Sequence, residues 1–483
     1  MSFLDTILYN LPEVVKPTQK KLSFKEKLKW TLITLVLFFV LGMIPLFGLG
    51  SNALQRFEIL SIILGAQFGS LMSLGIGPIV TASIVLQLLN GSGIIKFDLH
   101  SHEGRQRYQG IQKLLSVFFI IFEAAIYVFM GGLPAGSYYD PAINMFSEQP
   151  IPNAIPLSDS QVFTLDLLII LQLFLGGLLV MLMDEVVSKW GFGSGISLFI
   201  AAGVSQSIVI RALSPLHPDN NPDAFVGAIP EIFRQISLQA PTEAIVLASS
   251  IIATILIFVI AVYAQSMKVE IPLSFGRIRG HGIRWPLHFV YTSNIPVILV
   301  SALFANVQLW ARLLQNWGYP LLGTFGADGN TPQSGFINWI FAPNVLELLL
   351  RGSLTWNILL HAIVFLILLT VGCVIFSWFW VQTSGMDAKS QAKQIMSSGL
   401  QMPGFRRDER VLEKLLQKKI NPLTILGAIT VGILSGLADI SGALTNGTGL
   451  LLTVMIVYKL YEEVGKQHMM DMNPLVRKFM GGK

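Results

Sequence analysis

Long apolar stretches separated by shorter polar segments follow one another along most of the chain. Four of the clearest are TLITLVLFFVLGMIPLFGLG, LDLLIILQLFLGGLLVMLM, AIVLASSIIATILIFVIAVYA and ILLHAIVFLILLTVGCVIFSWFW. At a rise of about 1.5 Å per residue, each is long enough as a helix to cross a hydrocarbon core of roughly 30 Å. The pattern predicts ten membrane-spanning helices, with approximate limits 30–48, 74–90, 113–131, 165–183, 194–210, 243–264, 287–309, 356–381, 422–440 and 447–461.

The composition agrees with a chain that lies mostly in lipid. Of the 483 residues, 53% are hydrophobic and only 13% are charged, whereas about a quarter of the residues in a soluble protein are charged. The single cysteine, Cys373, lies inside an apolar run, which excludes a disulfide framework and a cysteine metal site. The predicted fold class is therefore an all-α polytopic membrane protein.

The basic residues predict which side of the membrane each loop occupies. All but five of the 33 lysines and arginines lie in the two tails or around the segments that join helices 2–3, 4–5, 6–7 and 8–9. Because cytoplasmic loops carry the excess of basic residues, both termini are predicted to face the cytoplasm. The five on the opposite side are Arg56, Arg211, Arg234, Arg312 and Arg351.

Two of the predicted cytoplasmic loops are long and basic. They cover about residues 265–286 and 382–421. Any single basic residue there can serve only to orient the neighbouring helices. Two such loops in one protein also offer a docking surface for a large anionic partner such as ribosomal RNA or an acidic motor.

Signatures of catalysis are missing from the sequence. There is no GxxxxGK[ST] phosphate-binding loop and no HExxH metal motif. Ionisable residues inside the predicted spans are few, with Glu123 and Asp166 in helices 3 and 4 and Asp439 at the end of helix 9. Since proton and ion pathways usually carry such residues, the sequence argues against an intramembrane enzyme and a small-solute transporter.

The second predicted span opens with a break. Gly75, Gly77 and Pro78 stand where a spanning helix would be continuous, and both residue types weaken a helix interior. The preceding residues 57–73 are apolar but are interrupted by glycine and polar residues. They fit a short half-helix that enters the protein from outside and turns at Gly75–Pro78. An ordinary kinked helix with an external lead-in explains the same residues equally well.

Seven blocks of sequence, in order, resemble the SecY family in its archaeal and eukaryotic branch. They are LGIGPIVTASIVLQLL, QGIQKLLS, MDEVVSKWGFGSGIS, IPLSFGRIRG, YTSNIPVILVSALFANVQLW, SGMDAKSQAKQI and NGTGLLLTVMIVYKLYE. The family forms the pore of the Sec protein-conducting channel. The resemblance implies two pseudo-symmetric halves, helices 1–5 and 6–10, that close around an hourglass pore.

The resemblance also implies a division of the chain. Residues 1–29 form a cytoplasmic tail, 30–210 the first half with a plug at about 57–73, and 211–241 an external linker. Residues 242–463 form the second half, and 464–483 a second cytoplasmic tail.

Three sets of site residues are carried over from the family by motif. An apolar ring is expected to form the narrowest part of the pore, although apolar residues at helical spacing usually only pack against one another. A displaceable plug and a hydrogen-bonded lateral gate are expected beside it. The ring consists of Ile76, Val80, Phe192, Ile196, Ile295 and Leu452; the plug and its break of Phe57, Gly65, Gly69, Ser70, Gly75 and Pro78; and the gate of Thr81, Glu123 and Asn294.

Function and partners follow from the same resemblance. It implies a channel that passes unfolded secretory polypeptides across the cell membrane and releases hydrophobic segments into lipid, with no catalytic activity and no cofactor. The expected partners are the small subunit SecE, a third small Sec subunit, signal sequences, and the ribosome or another partner that feeds the polypeptide. The residues expected to engage that feeding partner are Arg277, Arg279, Arg406 and Arg407. A secondary transporter for a small solute is the alternative.

Overall fold

A computed structural model provides the fold. It describes residues 12–19, 22–50, 69–91, 94–95, 97, 101–129, 132–141, 145–147, 154–217, 223–275, 282–292, 295–326, 331–397, 400–401, 408–445 and 447–472.

Each of the ten predicted spans contains a helix. Seven of the helices in the described residues, α3 to α9, are long and apolar enough to cross a membrane. Of the other three, α2 is short, and α1 and α10 carry several charged residues at one end. The ten are α1 (Phe24–Gly42), α2 (Gly77–Gly91), α3 (His102–Phe129), α4 (Asp159–Trp190), α5 (Gly195–Leu213), α6 (Pro241–Ser266), α7 (Ile295–Asn316), α8 (Trp356–Thr383), α9 (Glu409–Ile440) and α10 (Gly447–Met472).

Three helix starts differ from the prediction by eight or more residues, and one of them is α3, which begins at His102 instead of 113. Helix α9 begins at Glu409, about three turns before the predicted residue 422, and Pro422 lies inside it. Proline usually interrupts a helix interior, but here the helix continues through it. Helix α7 begins at Ile295 instead of 287, because residues up to His288 belong to a strand.

Short strands and helices join the spans. On the predicted external side, β1 (Tyr138–Asp140) pairs antiparallel with β2 (Met145–Ser147) and β3 (Ile155–Pro156). On the predicted cytoplasmic side, β4 (Lys268–Phe275) and β5 (Gly282–His288) form an antiparallel hairpin. A second external hairpin, β6 (Gly323–Phe325) with β7 (Pro332–Gly335), follows α7. Strand β8 is Leu400–Gln401, and the short helices are Ala228–Ser237, Phe336–Trp339, Val345–Leu350 and Ala388–Ser397.

The main hydrophobic core lies between the two halves of the chain. It combines side chains of α1, α2, α4 and α5 with those of α6 to α10. Helix α5 packs against α10, and α2 packs against both α7 and α8. The contacts between the two halves therefore include those along α5–α10 and those along α2.

The break before α2 is an ordered run of turns. Residues 70–77 make successive short-range bonds, including Ser73 N–H to Ser70 C=O (3.0 Å) and Gly75 N–H to Met72 C=O (2.9 Å). Gly75 has a φ of +53°, a left-handed conformation that glycine adopts at little cost. Pro78 lies in the first turn of α2, where its missing N–H would be unpaired in any residue. The glycine and the proline therefore mark where α2 starts.

Hydrogen bonds and close packing hold this run in place. Leu46 N–H donates to Gly69 C=O (2.8 Å), and Leu71 N–H donates to Ile44 C=O (3.0 Å). Helix α4 approaches so closely at Gly176 that an added Cβ would lie 1.8 Å from the carbonyl oxygen of Leu71. Such a contact is impossible without movement of the backbone.

Replacing Gly176 with alanine is expected to destabilise the protein, because α4 must move away from residue 71. We expect a loss of about 1–3 kcal/mol, typical of overpacking, measured as a lower thermal transition in detergent. The matched control is Gly203→Ala in α5, where an added Cβ meets nothing within 4 Å. Equal transitions for the two variants would contradict the close contact at Leu71.

Candidate functional site

Five of the six predicted ring residues belong to one cluster between the halves. Ile76, Val80 and Leu452 are buried in the main core, and Ile196 and Ile295 pack against it with partial exposure. They come from α5, α7 and α10, and from α2 and the turn immediately before it. Four separate chain segments thus converge on one apolar centre.

A wide cavity and a narrow space lie next to each other at this centre. A wide cavity of about 570 Å³ is bordered by Val80, Phe192, Ile196 and Ile295, together with polar residues such as Gln87 and Gln112. A narrow space of about 10 Å³ lies next to it. Val80 and Ile298 line both, so they mark the junction between the wide and the narrow part.

The narrow space is almost completely apolar and is closed. Its residues are Ile76, Val80, Ile200, Val204, Ile298, Ser301, Ala302, Thr448, Gly449 and Leu452. A cavity needs roughly 10–15 Å³ to hold one water molecule, so this space admits one water at most. We call these ten residues the waist.

The waist lies about one helical turn further along α5 and α7 than the ring prediction placed it. Ile200 follows Ile196 by four residues, and Ile298 follows Ile295 by three, so each pair shares one helix face. Ile196 and Ile295 border the wide cavity instead. The predicted residues Ile196 and Ile295 thus share helix faces with Ile200 and Ile298, and the sequence analysis did not single out Ile200, Val204 or Ile298.

Phe192 occupies a different position from the other predicted ring residues. Its N–H donates to Thr31 Oγ1 of α1 (3.0 Å), and its ring lies 5.5 Å from the ring of Phe24. The ammonium group of Lys27 lies 5.7 Å from the centre of the Phe192 ring. Phe192 therefore forms part of the wall of the wide cavity, held by α1.

A buried polar cluster connects α2, α3 and α7 next to the waist. Thr81 Oγ1 donates to Glu123 Oε1 (3.1 Å), and Asn306 Nδ2 donates to Thr81 Oγ1 (2.8 Å). All three side chains are buried. We call them the gate cluster, because α2 and α3 belong to the first half of the chain and α7 to the second.

Asn306 was missed by sequence reasoning. The predicted gate residue of α7, Asn294, lies outside the described residues. Asn306 follows Ile295 by eleven residues, which is slightly more than three full turns of an α-helix. It therefore lies on the same face of α7 as the residues that border the cavity, and this spacing was the signal that could have found it.

The predicted plug is only partly covered by the structure. Phe57 and Gly65 lie outside the described residues, whereas Gly69 and Ser70 form the beginning of the run of turns before α2. Met72 and Leu74 are almost completely buried. The described end of the segment is thus anchored beside Ile76 of the waist.

The four arginines expected to dock a partner also lie outside the described residues: Arg277, Arg279, Arg406 and Arg407. The loops that carry them are nevertheless connected. Strand β4 pairs with β8, with Phe275 opposite Leu400 and Ser274 opposite Gln401. Ile271 of the first loop and Ile395 and Leu412 of the second share one hydrophobic cluster. The two basic loops therefore form a single unit.

The arrangement combines a cavity, a constriction and a small polar cluster. The described residues contain no group of three or more His, Cys, Asp or Glu side chains that could hold a metal ion. What they do contain is a wide cavity, a closed apolar waist and a small polar cluster between helices of different halves. These are the parts of a gated conduit.

Comparisons with known proteins agree with this geometry. A family model described as SecY matches residues 70–461. The chain is 42% identical to "Protein translocase subunit SecY" of Pyrococcus furiosus, over 97% of each chain. It is 41% identical to the protein of the same name from Methanocaldococcus jannaschii, over 99% of this chain and all of that one.

Solved structures give the same result. One described as "The structure of a protein conducting channel" matches with a TM-score of 0.80 and 40% identity, over 98% of both chains. Another, "Sec61 in the Canine ribosome-channel complex from the endoplasmic reticulum", matches with a TM-score of 0.76 and 39% identity, again over 98% of both. The resemblance found in the seven sequence blocks is confirmed, and the chain belongs to the SecY family.

Proposed function

We propose that this chain is the pore-forming subunit of a protein-translocation channel. The observation that carries the proposal is the closed apolar waist of about 10 Å³ at the end of a cavity of about 570 Å³. Relatives at about 40% identity are named protein translocase subunits. Unfolded polypeptides would enter the wide cavity and pass through the waist.

An apolar waist suits a conduit for chains of any sequence. A narrow hydrophobic constriction excludes ions because water leaves it. It also offers no fixed hydrogen-bonding partner that would trap a passing polar side chain. We assign the seal chiefly to Ile76, Val80, Ile200, Ile298 and Leu452. This assignment replaces Ile196 and Ile295 of the sequence prediction with Ile200 and Ile298, and it leaves out Phe192.

The gate cluster would hold the lateral exit closed. It lies where α2 and α3 meet α7, and opening there would expose the pore to lipid. Hydrogen bonds within membranes contribute about 0.6 kcal/mol each on average, whereas each buried methylene contributes about 0.8 kcal/mol. A hydrophobic signal segment that binds between these helices can therefore overcome the hydrogen bond from Asn306 to Thr81, which joins the two halves.

Residues 57–73 would act as the plug on the outer side of the waist. Support comes from the anchored end at Gly69 and Ser70 and from the glycine conformation at Gly75. A segment that ends in turns can move without carrying α2 with it. One solved relative is described by the words "The plug domain of the SecY protein stablizes the closed state of the translocation channel and maintains a membrane seal".

Orientation and partners complete the proposal. The chain would lie in the cell membrane with both termini in the cytoplasm, where the two basic loops would engage a ribosome or another partner that feeds the polypeptide. SecE and a third small subunit would associate with it. The paired strands β4 and β8 support this docking role, because they join the loops that carry Arg277, Arg279, Arg406 and Arg407.

A stalled secretory chain should crosslink to the waist. Cys373, the only cysteine of the chain, is replaced by alanine, and a new cysteine is placed at Ile298 or Leu452. A polypeptide with one cysteine is then stalled at varied distances from its site of synthesis. We expect a disulfide over a short window of chain lengths, because the waist lies at a fixed depth.

The control for this experiment is Ile255→Cys on α6, which is 58% exposed on the outer surface of the protein. It should stay uncrosslinked at the lengths that react at the waist. If no disulfide forms at Ile298 or Leu452 for any chain length, the pore assignment is wrong. A small-solute transporter would then be the better interpretation.

Weakening the gate cluster should let less hydrophobic signals open the channel. Asn306→Leu and Glu123→Leu each remove one hydrogen bond to Thr81. Asn306→Leu removes the bond between the halves and should lower the required signal hydrophobicity by about one methylene equivalent. Glu123→Leu removes a bond within the first half that orients Thr81, so it should lower the threshold by less. A series of signals graded from alanine to leucine, scored by membrane insertion, measures the threshold.

Asn316→Leu provides the matched control, because it makes the same chemical change on the same helix at an exposed position. Its threshold should equal that of the parent. If Asn306→Leu and Glu123→Leu also keep the parental threshold, the gate cluster does not hold the exit closed.

A further inference from the structure

Two helices that line the waist begin in the same unusual way. Helix α5 starts at Gly195 and α10 starts at Gly447. Helices normally satisfy their first N–H groups with the side chain of the residue just before them. At α5 that residue is Ser194, and its side chain makes no such bond. At both starts an acceptor comes from the preceding helix.

Asp184, near the end of α4, caps α5. Its Oδ1 accepts the N–H of Ile196 over 2.9 Å. The carboxylate lies at the positive end of the helix dipole, where a negative group is favoured. The start of α5 is thus attached to α4 by a side chain twelve residues earlier in the chain.

Asp439, near the end of α9, caps α10. Its Oδ1 accepts the N–H of Thr448 over 2.8 Å, and its Oδ2 accepts a hydrogen bond from the Thr448 hydroxyl group. Both carboxylate oxygens are therefore used by one residue in the first turn of α10.

The glycines at both starts permit close contact. A Cβ on Gly195 would lie 2.6 Å from the Cα of Asp184, and a Cβ on Gly447 would lie 2.0 Å from the carbonyl carbon of Ala438. Each helix start therefore rests directly on the backbone of the helix that supplies its cap. Any larger residue would move the helix away.

The two caps occupy corresponding positions in the two halves. Asp184 joins the fourth helix to the fifth, and Asp439 joins the ninth to the tenth. With the predicted topology, the first cap faces the cytoplasm and the second faces outside. This is the relation expected of two halves with inverted topology, although the halves have no evident sequence similarity.

The caps lie next to residues of the pore. Ile196, whose N–H is capped, borders the wide cavity. Thr448 lies one turn before Leu452 on the same face of α10, and both line the waist. The position of each cap therefore determines how far its helix extends along the pore.

We propose that Asp184 and Asp439 are positioning residues that set the relative height of α5 and α10, and so hold the waist closed. The inference rests on the proposed function, because it assigns the waist as the seal. The caps act from opposite faces of the membrane on two helices that pack against each other. Loss of either cap allows one helix to slide along the other.

A disulfide between α5 and α10 measures this relative height. A Cβ on Gly449 would lie 3.2 Å from Val204 Cγ2, the place that the sulfur of a cysteine at 204 can occupy, so cysteines at the two positions are close enough to be joined. In the Cys373→Ala background, the Val204→Cys/Gly449→Cys protein should oxidise rapidly. Adding Asp439→Ala or Asp184→Ala should lower the yield at short times about fivefold, as expected for a lost helix cap.

Asp439→Asn provides the decisive comparison. The amide keeps an oxygen for the Thr448 N–H, and its NH₂ group can donate to the Thr448 hydroxyl oxygen. This variant should restore most of the parental disulfide yield. Asp159→Ala, which removes an exposed carboxylate from the other end of α4, should leave the yield unchanged.

Parental yields in both alanine variants would overturn the proposal. If one of the alanine variants does not fold, the disulfide yield of the other still tests the proposal, because the two caps lie at opposite faces of the membrane. Equal loss in Asp439→Asn and Asp439→Ala would also overturn it, because the cap would then not act through its hydrogen bonds. The disulfide forms in the resting protein, so its result is independent of whether a polypeptide crosses the waist.

Discussion

The need to satisfy every backbone polar group inside the bilayer determines how this protein can contain a pore. Lipid offers no hydrogen-bonding partners, so irregular backbone must be bonded within the protein. The turns before α2 meet this need through Ile44 and Leu46, and the starts of α5 and α10 meet it through Asp184 and Asp439. The turns before α2 and the start of α10 adjoin the waist, and the start of α5 adjoins the wide cavity. The pore is thus built where helices begin, and the bonds that satisfy those beginnings also fix their positions.

The waist and the gate cluster have different tasks and therefore different chemistry. A seal must exclude ions yet must not hold a passing polypeptide, and an apolar surface does both. A gate must stay closed at rest yet yield to a hydrophobic segment, which calls for bonds that are weak in a membrane. Val80 and Thr81, neighbours on α2, lie in the waist and in the gate cluster respectively. Movement of α2 would therefore affect the seal and the lateral exit together.

Hydropathy was sufficient to predict the ten helices, because a spanning helix requires a long apolar run whatever its neighbours are. The finer features depend on contacts between distant segments. The choice between Ile295 and Ile298, and the role of Asn306, depend on how far α7 extends past α2. The pairing of β4 with β8 joins residues more than a hundred positions apart. In the sequence, Asp184 and Asp439 are only charged residues near the ends of predicted spans. Their role as helix caps depends on the next helix packing back against them, which the sequence does not show.

The central claim is that the two halves must separate at the gate cluster for a polypeptide to pass. A disulfide that joins α2 to α7 tests it most directly. Thr81→Cys and Asn306→Cys, combined with Cys373→Ala, place two thiols where a 2.8 Å hydrogen bond connects the native side chains. The oxidised protein should neither translocate a secretory chain nor insert a hydrophobic segment, and reduction should restore both activities, while each single-cysteine protein stays active under oxidising conditions. Full translocation by the oxidised double-cysteine protein would contradict the account.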